Sequence, residues 1–204
     1  MARTRASEGT PLGREEIVAG AMRVTKEVGL DRLTMRALAT ELGVTPMALY
    51  HHVPNKDALL QLVADAVIGE IDVPPPEVGP WDVRLAALAR DLRARVAAFP
   101  GVGAYLLGSD VLTPGTDALV TGSVAMLESA GFSTRDAALA FTAVHNYLLG
   151  RLSVEASLRG PRLAKLRATR AGTPEPPGAR LPADDYFDYG LAALLRGLRP
   201  SNGN

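Results

Sequence analysis

The stretch LTMRALATELGVTPMALYHHVPNKDALL, residues 33–60, is punctuated as two short helices and the start of a third. Thr34 is a good N-cap, because its hydroxyl can accept one of the backbone N–H groups left over at a helix start. Leu38, Ala39 and Leu42 follow as an apolar stripe at helical spacing. Gly43 stands where a left-handed residue stops a helix. Thr45 is the next N-cap, with Pro46 at the first helical position, where a missing N–H costs nothing. Val53-Pro54 ends that helix, since the residue before proline is pushed out of the helical region. Asn55 then caps a third. Two short helices joined by a glycine turn form a helix-turn-helix, a motif whose second helix fits the major groove of DNA.

The detail goes further than the motif. Leu49-Tyr50-His51-His52-Val53, then Asn55-Lys56 and Leu59-Leu60, preceded by Leu30-Asp31-Arg32-Leu33-Thr34, resemble the DNA-binding domain of TetR-type (tetracycline-repressor-like) transcriptional regulators. The resemblance in motif covers residues 14–62; beyond them it is one of length and helical layout. It implies a homodimer that binds a palindromic double-stranded DNA operator and is released by a small-molecule inducer. It also implies roles by position. Thr34 and Arg36 would open the supporting helix, Thr45, Pro46 and Met47 would lie at the groove floor, and Tyr50 would hold a phosphate with His51, His52 and Lys56 beside it. Tyr and Lys make sequence-blind phosphate contacts, whereas Arg36 is the nearby side chain able to grip guanine in bidentate fashion. Two blander readings stay open: Tyr50 as a half-buried core aromatic and Arg36 as a solvated charge. Adjacent histidines on a helix point about 100° apart, and no carboxylate or histidine stands four residues from either, so no metal site is expected.

Charge is the awkward property. The chain of 204 residues is formally neutral, although a DNA binder is usually basic. Over residues 1–60, eight cations (Arg3, Arg5, Arg14, Arg23, Lys26, Arg32, Arg36, Lys56) face seven acids (Glu8, Glu15, Glu16, Glu27, Asp31, Glu41, Asp57). Binding then relies on a few placed cations, on helix N-termini aimed at phosphates and on two copies of the domain. Arg3 and Arg5 are candidates for a minor-groove arm. The absence of Cys excludes disulfides. No apolar stretch follows the basic first residues, so no secretory leader is expected, and no run approaches the roughly 18 apolar residues of a membrane span. A cytoplasmic location is expected, without a membrane partner.

The remainder reads as helices throughout, without strand-like alternation. Expected boundaries are a flexible arm over 1–12, a helix-turn-helix domain over 13–60 and a helical ligand-binding and dimerisation domain over 61–204. Helix one is expected over Arg14–Val28, with Ile17, Ala21, Val24 and Val28 inward, and helix four over Lys56–Ile71. After a Pro-rich break at 73–80, helices are expected from Trp81, Val102, Pro114, Ser133 and Ala183, with a Gly/Pro/Arg-rich loop at Arg159–Pro182. The fold class is therefore all-α: an N-terminal three-helix domain plus a C-terminal helical domain.

Residues 137–150, AALAFTAVHNYLLG, contain no charge. A helix apolar on every side must be covered on every side, by a partner subunit on one side and in part by a ligand cavity on the other. Phe141, His145 and Leu149 share one face at i, i+4 and i+8. Thr142 and Asn146 are polar groups that either line a pocket or find partners in backbone or subunit. Leu88, Leu92, Tyr105, Met126 and Phe132 complete the candidate lining of a mainly apolar site. The alternative is a helical carrier or enzyme with His145 and Glu155 as acid and base. No activated nucleophile, phosphate loop or metal-ligand spacing supports it, so neither enzymatic activity nor a cofactor is expected.

Overall fold

The computed structural model describes residues 12–108, 113–159 and 181–201. The arm with Arg3 and Arg5 and most of the Arg159–Pro182 loop lie outside the described residues. Among the described residues the chain is helical without strands: α1 (Arg14–Val28), α2 (Met35–Leu42), α3 (Pro46–Tyr50), α4 (Lys56–Gly69), α5 (Trp81–Ala97), α6 (Val102–Gly108), α7 (Pro114–Ser129), α8 (Thr134–Arg159) and α9 (Ala183–Gly197). Short 3-10 turns at Leu30–Arg32 and Pro76–Val78 sit between them.

Two apolar cores organise these helices. The head core gathers Ile17 and Ala21 of α1, Leu38 of α2, Leu49 of α3 and Leu59, Val63 and Val67 of α4. Its helices are tightly punctuated. Gly13 N–H donates to Glu16 Oε2 at 3.1 Å, the Thr34 hydroxyl accepts from Ala37 N–H at 3.0 Å, and Asn55 Oδ1 accepts from Ala58 N–H at 2.8 Å. Gly43 closes α2 in the left-handed region at φ 66°, where a side chain would be strained. Val28, expected inward on α1, is 45% exposed. Thr25 takes the inward place nearest that end, fully buried, with its hydroxyl donating to the Ala21 carbonyl at 2.8 Å.

The body core gathers α5, α7, α8 and α9 around Leu85, Leu88, Leu127, Phe141 and Phe187. α4 belongs to both cores, since Val67 faces the head and the adjacent Ile68 faces the body. A polar lock fastens α9 onto α5 and α8. Arg93 pairs with the buried Glu155 at 3.1 Å and with Asp184 at 2.7 Å, its guanidinium lying 4.7 Å over the Phe187 ring. The Tyr147 hydroxyl donates toward the carbonyls of Tyr186 and Phe187, both at 2.9 Å. Gly190 makes room for that tyrosine, as a Cβ there would fall onto its hydroxyl.

α8 is not covered on every side within one chain. Leu139 and Val154 are 54% and 46% exposed, and Thr142, Asn146 and Gly150 lie on the same outward stripe. Exposed Tyr189 of α9 adds a further aromatic surface. No helix among the described residues is long and apolar enough to cross a membrane.

Candidate DNA-contacting face and ligand cavity

α3 is only five residues long, and its shape follows from three residues. Thr45 accepts from Ala48 N–H at 3.3 Å, Pro46 presets the first helical φ, and Leu49, wholly buried, anchors the helix in the head core. The residues expected to meet DNA point out. Thr34, Arg36, Thr45, Pro46, Met47, Tyr50, His51, His52 and Lys56 are all exposed, Met47 to 69% and Tyr50 to 48%. A capping threonine hydroxyl that accepts from the backbone keeps its own proton to donate, so Thr34 and Thr45 retain a donor for a phosphate oxygen. No ion pair engages Arg36 or Lys56 among the described residues, whereas Arg23 at the α1–α2 contact is held by Glu41 at 2.6 Å.

The body holds an apolar cavity of about 150 Å³ between α4, α5, α6, α7 and α8. Of the residues expected to line it, Leu92, Phe141, His145 and Leu149 come together there. Leu88, Met126 and Phe132 are buried in the body core beside it, Phe132 meeting Trp81 edge-on at 5.0 Å. Tyr105 packs against the head core instead. Thr142 and Asn146 lie on the outward stripe of α8, the Thr142 hydroxyl donating to the Ala138 carbonyl at 2.7 Å. The wall also contains Ile68, Leu106, Thr116, Leu119 and Val120, which helical phase along α8 had no means of revealing.

His145 stacks on Phe141 with centroids 5.6 Å apart and planes 21° from parallel. Its Nδ1 is buried without a hydrogen-bond partner. Burial disfavours the imidazolium and holds its pKa below the ordinary 6.5. Glu155 is taken up by Arg93 and Arg151, and ten residues along one helix place it about 15 Å from His145. The two do not form an acid–base pair.

The cavity and the candidate DNA face are joined through α4. Asp65 Oδ1 accepts from Gly115 N–H at 2.7 Å, so an α4 carboxylate caps the first turn of α7. Gly115 is obligatory for this approach, as a Cβ there would stand 2.8 Å from Asp65 Oδ1 and 3.1 Å from Gly69 Cα. Thr116, the next residue, is in the cavity wall. A second junction runs from Leu30 N–H to the Pro100 carbonyl at 2.8 Å, tying the turn before α2 to the link between α5 and α6. Arg95 of α5 reaches the Val67 carbonyl at 3.4 Å and pairs with Glu70.

A helix-turn-helix head sharing one helix with a helical body defines a two-part DNA-binding regulator. Comparison with known proteins gives the family. Residues 17–63 match the model for bacterial regulatory proteins of the tetR family, and residues 73–176 match the tetracyclin repressor-like C-terminal domain. An HTH-type transcriptional regulator of Saccharopolyspora erythraea is 34% identical over 94% of this chain and 86% of its own length. The class D tetracycline repressor protein of Escherichia coli is 31% identical over 92% and 89%. Among solved structures, ActR of Streptomyces coelicolor in complex with actinorhodin superposes with TM-score 0.78 at 29% identity, covering 96% of this chain and all of that one. The chain belongs to the TetR family of transcriptional regulators.

Proposed function

We propose that this regulator is a cytoplasmic repressor that binds a palindromic operator as a homodimer and lets go when a mainly apolar small molecule enters the body cavity. Residues 13–60 serve as the DNA-binding unit and residues 61–204 as the ligand-binding and dimerising one, with α4 as the lever between them. The observation that carries this reading is the Asp65–Gly115 bond, which ties α4 to the first turn of α7 beside the cavity wall. A ligand pressing on Ile68, Thr116 and Leu119 would move that turn, and Asp65 would carry the movement into α4. α4 in turn holds Leu59 and Val63 in the head core, so tilting it re-aims α3.

The outward stripe of α8, with Leu139 and Val154 exposed and no charge between residues 137 and 150, supports a subunit contact there, with Tyr189 of α9 alongside. In such a dimer the two α3 helices must sit about 34 Å apart to enter successive major grooves, so a modest tilt of α4 suffices for release. To turn a 1:99 population into 99:1, the inducer must favour the released state by roughly 5.5 kcal/mol. That ActR is seen with actinorhodin bound supports a ligand-responsive reading of this chain. On the DNA face, Tyr50, Lys56, Thr34 and Thr45 are the phosphate contacts. Arg36 and Met47 are the nearest to base edges, with His51, His52 and Pro46 completing the surface.

The test is fluorescence anisotropy on DNA from the gene's own upstream region, with scrambled competitor and a salt titration. Specific binding should survive the competitor. The double variant Tyr50→Phe, Lys56→Ala should weaken binding to every sequence and lower the salt dependence by about two units of slope, one for the lysine lost from each subunit of the dimer. Unchanged affinity in that variant would remove this placement of the DNA face.

A further inference from the structure

We propose that the ligand of the cavity is a neutral molecule about one aromatic ring in size, bearing a hydroxyl group that hydrogen-bonds to the imidazole of His145. The inference rests on the cavity being the inducer site, and adds the chemical class of what enters it.

Three observations converge. The first is the wall. It contains no Lys, Arg, Asp or Glu, and apart from Thr116 and His145 it is hydrocarbon. A charged ligand would shed its hydration there and meet no countercharge, which is strongly unfavourable. The second is the state of the two polar groups. Thr116 is already committed: its oxygen accepts from Thr113 N–H at 2.7 Å and its proton goes to the Thr113 carbonyl at 2.9 Å. His145 has no such commitment, its Nδ1 being buried and unpartnered. A buried polar atom left in that condition is costly, so the site is improved by any ligand that pairs with it.

The nature of that pairing follows from the imidazole. Desolvation holds His145 in its neutral form at neutral pH, with one ring nitrogen a donor and the other an acceptor. A hydroxyl serves either one without bringing charge. A half-turn of the ring about its last torsion, which is two-fold and soft, exchanges Nδ1 with Cδ2, so the nitrogen is not confined to the buried edge. The third observation is size and shape. About 150 Å³ is the scale of an apolar cavity that takes a benzene-sized guest. The stacked Phe141–His145 pair offers a flat aromatic wall for a ring to lie against.

The experiment uses the full chain and three probes of one shape: p-cresol, toluene and 4-methylbenzoate, titrated by calorimetry and ligand-observed NMR. The wild-type protein should bind p-cresol about threefold to tenfold more tightly than toluene, the range of one net hydrogen bond. The carboxylate should bind at least tenfold more weakly than either. His145→Phe should keep toluene binding and abolish the advantage of p-cresol. Val120→Phe, which fills the cavity from a partly buried wall position, should abolish binding of all three probes. Equal binding of p-cresol and toluene, tight binding of the carboxylate, or a p-cresol preference that survives His145→Phe would each overturn the inference. Were toluene lost in Val120→Phe in those cases, the cavity would still stand as the site. No probe bound at all, or binding indifferent to Val120→Phe, would overturn both the inference and the assignment of the cavity.

Discussion

Three of the four helices of the head start where a side chain starts them: Thr34, Thr45 and Asn55 each accept a backbone N–H three residues on. In the body, α7 and α8 are capped by Thr113 and Ser133, but α5 and α9 begin after Pro80 and Pro182 with no side-chain cap and are placed by packing and by the Arg93–Glu155–Asp184 lock. The head surface is therefore assembled from neighbours in sequence, whereas the cavity takes its wall from five helices spanning residues 68 to 152. A DNA face built locally keeps its shape when the body shifts, and a cavity built from distant parts can yield. One region is suited to being moved as a unit and the other to sensing.

Damage inside the head should cost most. Leu49→Ala removes the one fully buried side chain of α3, and thermal or urea unfolding should show a loss of about 2–5 kcal/mol, with operator binding lost as well. Retained operator affinity would mean that α3 does not depend on its core anchor. Next comes the junction. Gly115→Ala forces a Cβ against Asp65 and Gly69, and overpacking of this kind costs about 1–3 kcal/mol. Operator affinity should change although no DNA-facing residue is touched, as measured by anisotropy. An unaltered affinity would show the two regions to be uncoupled at this point. Asn55→Ala should cost about 1 kcal/mol through loss of the α4 cap, read as a lower melting temperature without loss of ligand binding.

The smallest effect is on pH dependence. Since the folded pKa of His145 lies below 6.5, the unfolded chain takes up that proton first as pH falls. Stability is then complete above the unfolded value, declines as pH drops below about 6.5, and stops declining once the folded imidazole also protonates. His145→Phe should flatten this part of the stability profile. An identical slope in the variant would place the proton uptake on other groups.

The contrast also accounts for what could be read from the sequence. Caps, the glycine stop and Pro46 announce the head residue by residue, because each acts within three or four positions of its target. α8 shows the limit. Its phase groups Phe141, His145 and Leu149 on one face, and Thr142 with Asn146 on another, but the stretch carries no charge from 137 to 150 to say which face looks outward. That decision falls to α5 and α7, which cover the first set and leave the second exposed. Val28 fails for a related reason: helical spacing continues to the end of α1, while the packing beneath it stops earlier. The Asp65–Gly115 bond joins residues fifty positions apart and leaves no local trace in either segment.

The brevity of α3 has a consequence for how such a protein changes over time. Isolated helices shorter than about 12 residues hold poorly in water, so this five-residue segment owes its existence to Thr45, Pro46, Leu49 and Val53. Met47, Tyr50 and His51 contribute little to keeping it folded and face outward. On the proposed placement of the DNA face, the vocabulary that meets the DNA is thereby separated from the grammar that holds the helix. Duplicated copies of such a gene can acquire new operators by single substitutions at those outward positions, while inducer recognition drifts independently in the body.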